Sequence, residues 1–179
     1  MTQSDIKNSP NKLIVIFGFL SPFIGIFAGI YGIDQIENYT HPYLFSLICS
    51  IIGLAIGWTF SMFIKPYTRF NKKQLREYSK SIIFFSSGFI GLMLILGSWI
   101  NSGLSNEIKN DNYMVIDKTY KEYTFASPSA HWLHVPINGE TEKLRCKYDF
   151  WNSVYPKQFI NISSYKSKIG FDYYIITNE

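Results

Sequence analysis

Three long uncharged stretches set the pattern of hydrophobic and polar positions in the first part of the chain. Leu13–Ile33, Tyr43–Ile64 and Ile82–Ile100 contain no Asp, Glu, Lys, Arg or His and measure 21, 22 and 19 residues. A helix needs about 20 residues to cross the hydrocarbon core of a bilayer. The pattern therefore predicts three transmembrane helices.

Short alternating segments replace these stretches in the C-terminal part. Between 142 and 150, apolar and charged residues alternate with the period of two that is typical of a half-buried strand. The pair Asn138-Gly139 is a hairpin signal between this segment and 131–137. Pro136 cannot donate to a central ladder, so the pattern predicts that 131–137 is an edge strand. About five antiparallel strands are expected, in a sandwich, a barrel-like domain or a meander.

The predicted fold class is a membrane α-helical protein with three transmembrane helices, followed by a small antiparallel β-rich extracytoplasmic domain. Its expected parts are a cytoplasmic tail 1–12, transmembrane helices 13–33, 43–64 and 81–101, an outer loop 34–42, a basic cytoplasmic loop 65–80, a linker 102–112 and the β-rich domain 113–179.

The distribution of charge predicts an orientation. Residues 34–42 carry two acidic residues and no Lys or Arg, whereas 65–80 carry six Lys/Arg and one acidic residue. Because Lys and Arg bias short loops toward the cytoplasm, we expect a cytoplasmic N-terminus and an extracytoplasmic C-terminus. The expected location is a membrane, and residue usage favours the bacterial inner (plasma) membrane.

The basic segment 65–80 also suggests a ligand. Its short length between two apolar stretches gives little reach toward a nucleic acid, so no nucleic-acid partner is expected. Attraction to anionic lipid headgroups fits the position and is worth about 1 kcal/mol per basic residue. The residues assigned to topology and anionic lipid are Lys65, Arg69, Lys72, Lys73, Arg76 and Lys80.

Small residues recur three or four positions apart in each uncharged stretch, which places them on one side of each helix. Such residues let helix backbones approach closely. They could pack the helices of one chain, which we favour, or form the face of a homo-oligomer. The candidates are Gly18, Ser21, Gly25, Ala28, Gly32, Ser46, Ser50, Gly53, Gly57, Ser61, Ser87, Gly91 and Ser98.

Candidate catalytic chemistry is sparse. His131 and His134 have an H-x-x-H spacing, but residues i and i+3 of a strand point to opposite faces. Ser127, Ser129, His131 and Asp149 could be written as a triad, yet their spacing does not indicate convergence. No catalytic motif occurs in its required context. We therefore expect no enzyme activity, no cofactor and no metal.

The resulting functional hypothesis is a non-enzymatic multi-pass membrane protein that displays its β-domain for protein–protein interaction. It would be an accessory subunit of an envelope complex or an immunity-type protein, with an unknown protein partner on the extracytoplasmic side. The alternative is a subunit of an oligomeric channel or transporter. Aromatic side chains dominate interface energetics, so the candidate contacts are Trp132, Trp151, Tyr155, Tyr173 and Tyr174.

Overall fold

The computed structural model describes residues 12–64, 72–122 and 129–177. The helices in these ranges are α1 Lys12–Ile36, α2 Pro42–Ile64, α3 Lys72–Gly103 and α4 Tyr148–Ser153, and the strands are β1 Ser105–Met114, β2 Asp117–Lys121, β3 Ala130–Ile137, β4 Glu140–Cys146, β5 Phe159–Ser167 and β6 Tyr173–Ile176. The chain divides into two compact units. The helical unit comprises Met1–Gln35 and Tyr43–Trp99, and the β unit comprises Ile36–Pro42 and Ile100–Glu179.

The prediction of a membrane part with three transmembrane helices is wrong. Among the residues whose side chains the structure describes, one segment, Pro42–Phe63, is long and apolar enough to span a bilayer by length and composition, and the part of α1 described in this way, Leu20–Ile36, is shorter. The third uncharged stretch belongs to α3, which begins at Lys72 inside the segment that was expected to be a loop. The first nine residues of this helix are mostly polar, with four Lys/Arg and Glu77, so α3 as a whole is less apolar than α2. The fold is a mixed one, with helices and two antiparallel sheets.

The two sheets of the β unit have the strand orders β1-β5-β6 and β2-β3-β4. Both sheets are antiparallel throughout. Two local expectations differ from this arrangement. Much of the predicted linker 102–112 lies in β1, because its polar side chains sit on an exposed edge strand. The strand expected to continue to residue 150 stops at Cys146, and α4 follows one residue later.

The β3–β4 hairpin closes on the predicted Asn-Gly turn. Asn138 and Gly139 have φ values of 52° and 87°, as a two-residue turn of the type favoured in hairpins requires. However, β3 lies between β2 and β4, so the prediction of an edge strand is wrong. Pairing with β2 extends only as far as His134. Pro136 lies beyond that point, where its missing N–H costs no bond to β2.

One continuous segment passes from the first sheet to the second at Val115. The Val115 N–H donates to the Gln158 carbonyl (2.9 Å), and the Val115 carbonyl accepts from the Lys157 N–H (2.7 Å). The N–H of the next residue, Ile116, donates to the His134 carbonyl (2.8 Å). Val115 is fully buried and belongs to the core between the sheets. That core consists of Val115, Leu133, Val135, Ile137, Leu144, Cys146, Val154, Ile160, Ile162, Tyr174 and Ile176.

The connection between α1 and α2 is part of the β unit. The Asn38 side chain accepts from the Arg145 N–H (2.6 Å) and donates to the Arg145 carbonyl (3.1 Å). The Asn38 carbonyl accepts from the Tyr174 N–H (3.1 Å), and the Thr40 N–H donates to the Asp172 carbonyl (2.9 Å). Residues 38–40 therefore provide hydrogen-bond partners for backbone groups along the outer edges of β4 and β6.

Candidate functional site

An open groove of about 420 Å³ lies in the β unit beside β2 and α4. We call it the aromatic groove. Its lining residues are Tyr120, Lys121, Glu122, Ser129, His131, Tyr148 and Trp151. The antiparallel register brings two of the strands' aromatic side chains together, since Tyr120 of β2 is paired with His131 of β3. The short helix α4 supplies the other two rings, Tyr148 and Trp151.

The aromatic rings of the groove contact one another at steep angles. The centroid of the His131 ring lies 5.2 Å from that of Tyr148, with an interplanar angle of 61°. It also lies 5.2 Å from the centroid of the Trp151 ring, with an angle of 53°. Tyr120 meets Trp151 edge-on at 5.7 Å. These separations fall in the favourable range for aromatic pairs. Tyr120 and Tyr148 remain 58% exposed, so each has ring surface available to a ligand.

Lys118 holds the far end of α4 against β2. Its ammonium group donates to the carbonyls of Trp151 (3.0 Å) and Val154 (2.9 Å) and lies 4.3 Å from the centroid of the Trp151 ring. A cation at a helix C-terminus is favourable because the last carbonyls lack helical partners. Lys118 thus fixes the position of Trp151 and occupies part of its ring surface.

The groove also brings together side chains that could carry chemistry. Ser129, which precedes β3, lines the groove together with His131 and Glu122. Within the part of the chain that the structure describes, the contacts of the His131 ring are with aromatic rings, and no hydrogen bond links it to Ser129 or Glu122. A nucleophile and its base need such a bond. Ser127 lies outside the described residues, and Asp149 lies in α4.

His131 and His134 lie in different surroundings. His134 Nε2 is 3.0 Å from the Thr119 hydroxyl, whereas His131 faces the groove. The described residues contain no group of three or more His, Cys, Asp or Glu side chains suitable for a metal ion.

The five candidate partner contacts have different environments. Trp151 lines the groove, and Tyr155, 68% exposed, lies beside Lys118. Trp132 donates to the Glu37 carboxylate (3.2 Å) and is covered by the Lys143 ammonium at 3.8 Å.

Tyr173 and Tyr174 are 8% and 9% exposed, so a partner could not reach much of either ring. Burial also raises the pKa of the Tyr174 hydroxyl. Tyr120 and Tyr148 were not selected from the sequence. Neither position carries a sequence signal of its own, and only the fold places the Tyr120 ring against Trp151 and the Tyr148 ring against His131.

The small residues of α1 face α3. Ser21, Gly25, Ala28 and Gly32 are all buried. A Cβ atom added at Gly91 of α3 would overlap the Gly25 carbonyl oxygen, and one added at Gly32 would come within 2.7 Å of the Leu94 side chain. Gly18 also lies in α1.

α2 contacts the same helix through a row of every fourth residue. That buried row is Phe45, Cys49, Gly53, Gly57 and Ser61. A Cβ added at Gly53 would lie 2.7 Å from the Phe89 carbonyl oxygen. Ser46 and Ser50, which were expected in the row, are only partly buried.

On α3 the contact residues include Ser86, Gly88, Gly91 and Ser98. Ser87 is exposed and does not belong to that face. The small residues of all three helices thus contact helices of the same chain.

The basic candidates lie at the start of α3 or before it. Lys72, Lys73, Arg76 and Lys80 fall in the first turns of this helix. Lys65 and Arg69 lie outside the described residues.

Comparisons with models of known families, with curated proteins and with solved structures find no match.

Proposed function

We propose that the chain is a non-enzymatic binding protein whose β unit takes an extended segment of a partner protein in the aromatic groove. The observation that carries this proposal is the cluster of four rings joined by three ring contacts, two of the rings being 58% exposed, around an open groove. Exposed aromatic side chains dominate the energetics of protein interfaces.

An extended polypeptide fits the position of this groove at the edge of a sheet. The groove adjoins β2, which is an edge strand of its sheet, and an extended segment can add hydrogen bonds at such an edge while its side chains fill neighbouring pockets. Trp151 is a poor site for a small cationic ligand, because the Lys118 ammonium already lies over its ring.

We also propose that lipid covers the exposed apolar surface of the helical unit. On α2, large side chains away from the buried row are strongly exposed, among them Leu47 (58%), Ile51 (60%) and Phe63 (70%). A continuous apolar surface of this kind is typical of contact with a membrane or another protein. The buried row is made largely of small residues, as is usual where helices pack in lipid.

An extracytoplasmic β unit is consistent with the charge distribution. Residues 34–42 carry two acidic residues and no Lys or Arg, which favours the extracytoplasmic side for the connection Ile36–Pro42 and for the β unit that contains it. The alternative, a channel or transporter subunit assembled through small-residue faces, has less support because those faces contact helices of the same chain.

The location can be tested with alkaline phosphatase, which is active only after export. A fusion after Glu179 should be active and should remain in the membrane fraction. Inactivity of this fusion, or recovery of the intact chain in the soluble fraction, would contradict this part of the proposal.

The groove can be tested by purifying the intact chain in mild detergent. We expect a discrete partner protein to copurify with the wild type and to be reduced at least tenfold by Tyr120→Ala together with Tyr148→Ala, because removing interface aromatics typically costs about 2 kcal/mol or more. Phe159→Ala is the matched control, since this exposed ring lies outside the groove lining. Equal recovery with the groove variant and the control would contradict the groove assignment.

A further inference from the structure

Among the residues that the structure describes, none pairs with the outer edge of β1. β1 is the first strand in the order β1-β5-β6, and its ladder to β5 runs from Ser105 to Met114. In the described residues, no other strand pairs with 106–114. Residues 106–110 are all exposed. An exposed edge of this length is a template for another strand.

The charges on β1 are complementary to those of a second, antiparallel β1. When the strand is paired with its own copy about a two-fold axis at Asn110, Lys109 lies opposite Asp111 of the copy, and Asp111 lies opposite its Lys109. Lys109 and Asp111 of one chain already form an ion pair on one strand face. Hydrogen bonding and attraction to the Asp111 carboxylate raise the pKa of Lys109.

Neighbouring registers lose this complementarity. A shift of the axis to Asp111 places two aspartates opposite each other, and a shift to Lys109 places two lysines opposite each other. An axis at Ile108 pairs Glu107 with Lys109, but the ladder to β5 is irregular between these two residues. A bulge breaks the alternation of side chains that such a pair requires. From Lys109 to Met114 the ladder is continuous.

We propose that two copies of this chain associate through antiparallel pairing of their β1 strands about Asn110. The joined sheet would have the order β6-β5-β1-β1-β5-β6. The regular part of the seam is short, so the dimer forms in a concentration-dependent way. This proposal is independent of the aromatic groove, which is built on β2, β3 and α4.

Charge exchange tests the pairing in the intact chain. Lys109→Glu or Asp111→Lys alone would place like charges opposite each other at both 109–111 pairs of the dimer. Because a cross-strand charge pair contributes up to about 1 kcal/mol, each substitution should weaken self-association about tenfold. An equimolar mixture of the two variants restores both opposite-charge pairs between chains. Sedimentation should therefore show the mixture dimerising nearly as well as the wild type.

Mixing does not restore the Lys109–Asp111 ion pair within either chain. If the substitutions weakened association only by disturbing the structure of each chain, both variants would therefore remain monomeric in the mixture. That result would overturn the proposal. A monomeric wild type at every accessible concentration would overturn it as well.

A disulfide tests the register. Asn110→Cys places two thiols at the two-fold axis, where directly opposite residues are within bridging distance. Asn112→Cys is the matched control, because its two copies would lie about four residues apart along the seam, roughly 13 Å. Cys49 and Cys146 are buried. Oxidation should crosslink the first variant and not the second, and equal crosslinking would overturn the register.

Discussion

Asn38 is the single residue on which closure of the β unit depends most directly. Its side-chain amide makes the same two bonds to Arg145 that a neighbouring strand would make, and its carbonyl binds the Tyr174 N–H. A nearby Glu37 carboxylate, 3.0 Å from Arg145, holds the side chain of the same arginine. One short connection thereby satisfies backbone groups that would otherwise lose their partners.

Asn38→Ala should destabilise the intact chain by about 2 kcal/mol, because two hydrogen bonds are lost and partly buried backbone groups are left unpaired. The measurement is the midpoint of chemical denaturation in mild detergent. Asn152→Ala is the control, since that asparagine is exposed on α4. If both substitutions shift the midpoint equally, Asn38 does not have this role.

At the scale of elements, the helical unit depends on close backbone contact between α1 and α3. A Cβ atom added at Gly88 would overlap the backbone of Ser21, and one added at Gly91 would overlap the backbone of Gly25. No flexible side chain can move aside there, so any larger residue must separate the two helices.

Gly91→Leu should therefore lower the stability of the intact chain in detergent by about 1–3 kcal/mol, the usual cost of overpacking. Gly103→Ala is the matched control in the same helix, because nothing lies within 4 Å of its added Cβ. It should be neutral or slightly stabilising, since alanine favours a helix more than glycine does. Thermal unfolding followed by circular dichroism compares the two, and a stable Gly91→Leu variant would contradict the packing.

The elements that could be predicted from sequence are those specified by local chemistry. The Asn138-Gly139 hairpin follows from the conformational freedom of two adjacent residues. β1 could not be predicted in this way, because "SNEIKNDNYM" is polar and resembles a linker. It becomes a strand through its long-range pairing with β5.

Long-range contacts also explain why the Asn38–Arg145 contact and the aromatic groove could not be predicted from the sequence. Asn38 and Arg145 are 107 residues apart in the sequence, and neither carries a local signal of pairing. The groove depends on the β2–β3 register and on the helix that replaces the end of a predicted strand. Trp151 was selected for its chemistry alone, whereas Tyr120 and Tyr148, the two exposed rings of the groove, were identified only from the fold.

At the scale of the whole molecule, the two units suggest a division of roles. The helical unit buries small residues and exposes large apolar ones, which we propose to be covered by lipid. The β unit buries its branched apolar residues and exposes rings at one groove. Attachment and recognition would then be carried by different parts of one chain.

Photocrosslinking from position 148 in intact cells tests the central claim most directly. With a photoreactive amino acid in place of Tyr148, the account predicts one discrete adduct with a partner protein, and that adduct should disappear when Tyr120→Ala is added. The same amino acid in place of Phe159 should not form it. No adduct from position 148, or an identical adduct from position 159, would contradict the claim that the aromatic groove binds a protein partner.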